Sequence, residues 1–389
     1  MIALFMTVFV DLVGFGIVLP LQPFYAQKLG AAPEVVTLVA ASYTAAQFVF
    51  APLWGRLSDR IGRKRVLLIT IAGSCAGYLW LAFADTLIVL FLARAFGGAM
   101  AANMGVAHAY VADVTPPADR ARGMGRIGAA AGLGFVAGPA IGGLLAGPDP
   151  VNPDFQLPFF AAAVFSALAF VAAMVFLRET VVAEAGRAAR GSSLRDLVAA
   201  IGRPGLALLL ALVFMTPFVF SGIETILALW SERALGWGPE RNGYAYAFMG
   251  FVAVMVQGFA VGPLTRGLGE GRVVAGGAVA VMLGAILAPV MADAFGLYVA
   301  LGLIVGGVCV SGPTLTSLVS HHAGADERGA ILGLSQSSAG LGRILGPALS
   351  GTVFAGLGRD WPFLCGALVM VLMLVLSLRL IRRGRATPT

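Results

Sequence analysis

Charge is what this sequence is short of. Only 12% of its 389 residues are Asp, Glu, Lys or Arg, where a soluble domain carries roughly 25%. Another 59% are hydrophobic and the mean hydropathy is +0.91, which excludes a water-soluble globule. Lysine is scarcer still. Lys28 and Lys64 are the only two, both between apolar runs, so no mid-span lysine exists to carry a retinal Schiff base. Cys75, Cys309 and Cys365 are odd in number and lie in apolar runs, as small core residues do. No G-x-x-x-x-G-K-[ST] occurs, which argues against ATP as the energy source. His321-His322 with Asp326 lacks a third and fourth ligand, and adjacent histidines on a helix point about 100° apart, so neither a metal nor another cofactor is expected. An intramembrane hydrolase needs a nucleophile beside a base, and His108 has no Ser or Cys partner in a recognisable pattern. The chain does not read as an enzyme.

Apolar runs of about 20 residues recur along the whole length, each long enough to cross a bilayer as a helix. Twelve spans are expected near 2–25, 36–56, 65–84, 86–112, 123–146, 158–178, 204–231, 242–262, 273–292, 296–320, 329–354 and 361–381. This is an all-α integral membrane chain: six spans (1–178), a polar linker (179–203) with Glu179, Glu184, Arg187, Arg190 and Asp196, and six more spans (204–389). The first run opens at Ile2 and holds Asp11. Lacking a charged start and a small-residue cleavage site, it reads as a retained span. The chain begins almost inside it, which leaves room for native residues before Met1.

Charge placement gives the orientation. Of 26 Lys and Arg, 20 fall at one set of segment ends; Lys28, Arg233, Arg241 and Arg359 fall at the other, and Arg94 and Arg343 lie within spans. That bias puts both termini in the cytoplasm, in a cell (inner) membrane. The net charge of +7 thus reports topology, with the lipid bilayer as partner and no nucleic acid.

One short charged stretch organises the whole. Gly55-Arg56-Leu57-Ser58-Asp59-Arg60-Ile61-Gly62-Arg63-Lys64-Arg65 sits between two apolar runs, its glycines suited to a tight turn. Gly55, Leu57, Gly62, Arg65 and Val66 recur as Gly262, Leu264, Gly269, Arg272 and Val273, 207 residues on. Arg122-Gly123 matches Arg328-Gly329, and Gly138-Pro139-Ala140 with Gly143 matches Gly346-Pro347-Ala348 with Gly351. Two pseudo-symmetric six-helix bundles follow, with a site expected between them near the midplane.

Four charges lie inside spans. A carboxylate there costs about 2.5–3.5 kcal/mol on insertion scales, so it needs a partner or a task. Counted from the cytoplasmic edge, Asp11 and Arg94 stand roughly 13 and 17 Å deep and Glu224 and Arg343 roughly 27 and 21 Å. Each pair is close enough in depth to meet, whether as a static ion pair or as a working one. Asn103, His108, Tyr110 and Gln257 are polar candidates for a cavity wall, beside Glu224 and Arg343. In the fifth span Gly128, Gly132, Gly134, Gly138, Gly142 and Gly143 alternate with alanine, which lets helices approach closely, and Pro139 bends the helix.

Together Asp11-x-x-Gly14-x-Gly16-x-x-x-Pro20, the Gly55–Arg65 stretch, Arg94-x-x-Gly97-Gly98, Ala112-Asp113-x-Thr115 and Gly134-x-x-x-Gly138-Pro139-x-x-Gly142-Gly143 resemble the major facilitator superfamily. The likeness is to its drug/proton antiporter branch, nearest the tetracycline/proton antiporters. It implies that Asp11 and Arg94 handle the coupling proton. It also implies that Gly55, Asp59, Gly62, Arg63 and Asp113 form a latch favouring the outward-open state, with Asp59 capping the eleventh span. The Gly134, Gly138, Pro139, Gly142, Gly143 pattern implies antiport. Where tetracycline carriers have acids in spans three and nine, this chain offers Gly77 and none in 273–292, so a tetracycline–metal complex is not the expected substrate. Arg343 points instead to a substrate with an anionic or strongly polar group. Arg266 stands where Asp59 would recur, so no reciprocal latch is expected. The function expected is proton-coupled export of a small amphipathic molecule by alternating access, as a monomer. The alternatives are a symporter or facilitator for a sugar or small organic acid, and a lysolipid flippase.

Overall fold

A computed structural model describes residues 2–116, 119–180, 202–291, 293–322, 324 and 327–386. The described residues hold helices and turns and no strand. In order they are α1 Ile2–Val18, α2 Gln22–Lys28, α3 Pro33–Ile61, α4 Arg63–Ala82, α5 Leu87–Met100, α6 Met104–Val114, α7 Arg120–Ala146 and α8 Gln156–Phe176, followed by α9 Pro204–Leu235 and α10 Pro239–Met255. After a π-helical turn Val256–Ala260 come α11 Val261–Leu268, α12 Glu270–Val290, α13 Ala294–His321, α14 Arg328–Leu357 and α15 Trp361–Ala386. Most of the linker expected at 179–203 lies outside the described residues.

Eleven helical stretches among the described residues are long and apolar enough to cross a membrane. The twelfth, α14, has 30 residues and is diluted by glycine and serine. Phe176, Phe259, Phe295 and Leu368 stand exposed on helix surfaces, as hydrocarbon-facing residues do.

Three spans are broken, each for a local reason. Span one, Leu4–Lys28, turns at 19–21, where Leu19 N–H bonds Gly16 O (3.3 Å) and Leu21 N–H bonds Val18 O (3.2 Å). Pro20 and Pro23 can donate nothing to a regular ladder there. Span four turns at 101–103, and α3 meets the break: Trp54 Nε1 donates to Ala99 O (2.6 Å) and Gln47 Nε2 to Ala101 O (3.2 Å). Inside a bilayer a carbonyl freed from its helix must find such a donor. Span eight carries the π turn at Gln257-Gly258.

The charged stretch is less of a loop than its composition suggests. Helix α3 runs to Ile61, and Gly62 alone separates it from α4, at φ +105°. Gly55 is therefore not a turn residue. It sits within α3 with open space where a Cβ would go, because 29 helical residues of about 1.5 Å rise each carry α3 beyond a bilayer of roughly 30 Å.

Two compact units result. One contains α1–α8 with Ser231–Phe251; the other contains the rest of α9 and everything from Val252 on. The 231–251 stretch, expected with the second half, groups with the first because glycines let α10 lie on α7. A Cβ at Gly243 would fall 2.5 Å from Pro139 O, and one at Gly250 2.7 Å from Phe135 O. Within the first unit α1 packs on α7 through Gly134, Gly138 and Gly142, against Phe9 O, Val13 O and Ile17 O. Below that seam Leu4, Val66, Ile71, Val111, Ile127 and Ala130 close an apolar core. In the second unit α12 meets α13 through Gly277 and Gly307, each facing the other's carbonyl.

The seam can be tested. At Gly138 a methyl would lie 2.6 Å from Val13 O and 2.7 Å from Gly16 Cα, backbone atoms that cannot swing aside. Gly138→Ala is expected to cost about 1–3 kcal/mol, read by thermal unfolding in detergent. Gly128→Ala on the same helix meets nothing within 4 Å and is expected to be neutral or stabilising.

Candidate functional site

The first unit gathers a polar cluster inside its spans. Asp11 comes from α1, Tyr43 from α3, Thr70 and Tyr78 from α4, and Arg94 from α5. Asn103 sits at the break in span four, where its side chain is free to reach sideways. It hydrogen-bonds the Asp11 carboxylate, and its Nδ2 donates to Thr70 Oγ1 at 3.2 Å. Thr70 in turn donates to Val66 O and Leu67 O at 3.0 Å. The other carboxylate oxygen, Asp11 Oδ1, is sealed from solvent with no protein partner.

Arg94 is 5% exposed. Its guanidinium lies 4.3 Å from the centre of the Tyr43 ring, and its Nε has no hydrogen-bond partner. A desolvated cation over an aromatic face gains about 2 kcal/mol. Tyr43 reaches that position because Gly98 presses against its backbone and Phe15 against its ring (5.2 Å between centres). Gly14 makes room for the Tyr78 ring, 3.3 Å from where a Cβ would stand. Asp11 and Arg94 both act electrostatically on both tyrosine hydroxyls. The direct Asp11–Arg94 contact suggested by their depths does not form: the described residues hold no ion pair between them. Tyr43 covers the guanidinium and Asn103 holds the carboxylate instead.

At the end of α3 a second cluster closes on Arg63. Its NH1 lies 2.5 Å from Asp59 Oδ1 and 2.6 Å from Ser58 Oγ, and its Nε lies 3.3 Å from Asp113 Oδ2. A third acid joins, from beyond α8. Glu179 accepts the Lys64 N–H on Oε1 (3.0 Å) and the Arg65 N–H on Oε2 (3.3 Å), while Lys64 Nζ donates to Met174 O (2.7 Å). Glu179 thereby caps α4, whose first residue is a cation that cannot serve its N-terminus. A Cβ at Gly62 would run into that carboxylate, so Gly62 is needed for space as well as for its positive φ.

In the second unit Glu224 and Arg343 interact electrostatically. On the same two helices, α9 and α14 part below a tight crossing, where Gly342 and Gly346 meet the α9 backbone at Phe214 and Phe218. The resulting cavity, about 530 Å³, is walled by Leu210, Phe214, Phe218, Leu334 and Leu341, with Val369 of α15 behind. Phe214 and Phe218 stack at 5.4 Å. The two serines in the wall are satisfied within the protein, Ser338 by Leu210 O (2.9 Å) and Ser337 by Gly333 O (3.0 Å), so the cavity offers an apolar surface. At the start of α9, Arg203 grips Glu327 with two bonds, 2.7 and 3.0 Å, and holds that carboxyl below the usual carboxylate range.

A family model described as Major Facilitator Superfamily matches residues 4–347 and 257–389. The chain belongs to the major facilitator superfamily. Over 97% of its length it is 31% identical to the class G tetracycline resistance protein of Vibrio anguillarum, covering 95% of that protein. Multidrug resistance protein 2 of Bacillus subtilis (strain 168) is 28% identical over 97% of this chain and 94% of its own. The crystal structure of the nucleoside transporter NupG superposes with a TM-score of 0.81 at 16% identity, covering 97% of this chain and 98% of that one, a likeness of fold.

For this facilitator the sequence placed several residues in the right company. Arg63, Asp59 and Asp113 meet, and Glu224 and Arg343 act on each other electrostatically, whereas Asp11 meets Asn103, which was expected only as a cavity wall, in place of Arg94. Gly134, Gly138 and Gly142 line the α1–α7 seam, where Pro139 lies against Gly16, and Gly143 meets Pro239 and Glu240 at the start of α10. Gln257 lies in the π turn and donates to Cys309 Sγ at 3.4 Å. His108 is exposed on α6. Tyr110 is no cavity wall: it is buried in the apolar core, its hydroxyl accepting the Arg178 N–H (3.1 Å). Tyr43, Tyr78, Thr70 and Glu179 were missed. The two tyrosines carried a signal in Gly97-Gly98 and Gly14, glycines that only a close ring or backbone requires.

Two outcomes check these contacts. Glu179→Ala removes a two-pronged cap and should cost about 1 kcal/mol, with faster hydrogen exchange at the Lys64 and Arg65 amides. Glu327 has a depressed folded-state pKa, so its contribution is present at neutral pH. It is lost as pH falls from the unfolded value, about 4.3, through the folded one. Glu327→Gln should remove that step from unfolding midpoints recorded on acidification.

Proposed function

We propose that this protein is a proton-coupled exporter of small amphipathic molecules, working by alternating access. The observation that carries the reading is the Asp11–Asn103–Thr70 chain with Arg94 on Tyr43: an ionisable acid and a fixed cation kept inside membrane spans without pairing off. Relatives that bear the names of tetracycline and multidrug resistance proteins support export as the direction and a drug-like molecule as cargo.

In this reading Asp11 takes up and releases the coupling proton. Arg94, charged at every physiological pH, sets the field around it through Tyr43 and Tyr78. The cavity walled by Phe214 and Phe218 suits the apolar body of the cargo, since small-molecule sites are about 300–1,000 Å³ and mostly apolar. Arg343 offers a charge for an anionic or strongly polar group. Asp59, Arg63 and Asp113 serve as the latch of the outward-open state, with both termini cytoplasmic in an inner membrane and the chain working as a monomer. A proton crossing 100 mV supplies about 2.3 kcal/mol, and a neutral solute is concentrated tenfold for every 1.4 kcal/mol or so.

The deciding experiment is transport in proteoliposomes under an imposed pH gradient, across a chemically varied panel. The parent should accumulate substrate against its gradient and Asp11→Asn should only equilibrate it. Undiminished uphill transport by Asp11→Asn would remove the proton from that residue. Arg343→Ala should weaken acidic ligands at least tenfold while sparing neutral ones.

A further inference from the structure

The internal repeat places Glu270 where the first half has Arg63, 207 residues earlier. Arg63 opens α4 and is tied to Asp113 at the end of α6. Glu270 opens α12, and it too is tied to the helix that corresponds, α13. Ser317 Oγ donates to Glu270 Oε1 at 2.5 Å, and His321 Nδ1 stands 3.6 Å from Glu270 Oε2. Ser317 and His321 are one turn apart and flank residue 320, the counterpart of Asp113. The same two helix ends are therefore joined in both halves, with the acid on the second helix in one and on the first helix in the other.

Helix electrostatics explain the difference. A carboxylate is welcome at a helix N-terminus, and Glu270 supplies it from within α12. Arg63 cannot, and Glu179 must be brought in to cap α4. Arg266, expected to leave the second half without a latch, donates among the described residues to Gly262 O of its own helix (3.2 Å); the tie runs through Glu270, four residues on, instead.

We propose that Glu270, Ser317 and His321 form a second cytoplasmic tie of reversed polarity, one that loosens as cytoplasmic pH rises. Imidazole is the side chain that changes charge near neutrality, whereas guanidinium stays charged. The protonated ring attracts the Glu270 carboxylate and the neutral ring does not, so acid tightens this tie and leaves the Arg63 tie unaltered. Other charged groups on the elements around it are Arg266 on α11, Arg272 on α12, Arg379 on α15, whose Ile381 packs on Gly271, and the mutually paired Arg203 and Glu327. His322 is engaged with Leu318 O (2.9 Å); Asp326 lies outside the described residues. In an exporter that brings protons inward, which is the reading this rests on, such a tie acts as a brake on the side where protons arrive.

The test is hydrogen exchange of the amides from Gly269 to Val273 in the full-length, detergent-solubilised chain, between pH 5.5 and 8 and corrected for chemical exchange. Protection in the parent should fall about twofold through neutrality, the scale of an exposed ion pair. The profile should be flat in Glu270→Gln, His321→Gln and His321→Lys, with unchanged unfolding midpoints reporting intact folding. A parent without the step, or a step that persists in Glu270→Gln or His321→Gln, overturns the tie. This readout needs no transport, so loss of the exporter reading would leave it standing, and its own failure would leave the exporter untouched.

Discussion

An ionisable side chain at bilayer depth has no water to fall back on, so whatever steadies it must come from neighbouring helices. In the first unit that support comes in two separate parts. Asn103, itself anchored on Thr70, holds the Asp11 carboxylate by a hydrogen bond, and the Tyr43 ring holds the Arg94 guanidinium by its face. Had the acid and the base simply paired, each would have neutralised the other and little would be left to titrate. Held apart, neither neutralises the other. The rest of the unit can be understood as what this separation requires: a break in span four that frees Asn103, donors from α3 that cover the carbonyls exposed by the break, and Gly98 and Gly14, which admit the two rings.

Glycine makes the same kind of contribution elsewhere. Apolar side chains gain little from leaving lipid for protein, so helices in a membrane associate through close packing. Close packing here means backbone against backbone, at Gly138 on Val13, Gly250 on Phe135, Gly277 on Gly307 and Gly346 on Phe218. Where the glycines stop, the helices diverge. Below Gly134 the first unit fills the gap with Leu4, Ile127 and Ala130. Below Gly342 the second leaves a cavity of about 530 Å³. One seam, repeated in two halves, thus yields a core in one and a pocket in the other.

The helices and the repeat were plain in the sequence, because hydropathy and the positive-inside bias are set by the bilayer itself. The contacts of Arg63 with Asp59 and Asp113 were legible through the resemblance, whose motifs bring those three residues together. Contacts were illegible where the partner arrives from far along the chain. Glu179 caps α4 across 115 positions, and nothing in its neighbourhood marks it as a cap. Depth along a helix was also a poor guide to pairing. It put Asp11 and Arg94 at one level but carries no azimuth, and azimuth decides whether two side chains face each other. Gly55 misled for a related reason: it matches a turn by type, yet an α3 of 29 residues has no need to end there.

The two halves share an ancestry of pattern and differ in sign, and the difference bears on mechanism. Arg63 keeps its charge at any pH a cell meets, so its contacts with Asp59 and Asp113 can be broken only by movement. Glu270 faces an imidazole, so its contact can also be weakened by losing a proton. In the proton-coupled reading proposed above, the two ties have different uses. In that proposal, the tie through an imidazole would let the proton concentration on the receiving side adjust how readily its half responds, without altering the buried acid on which coupling would depend.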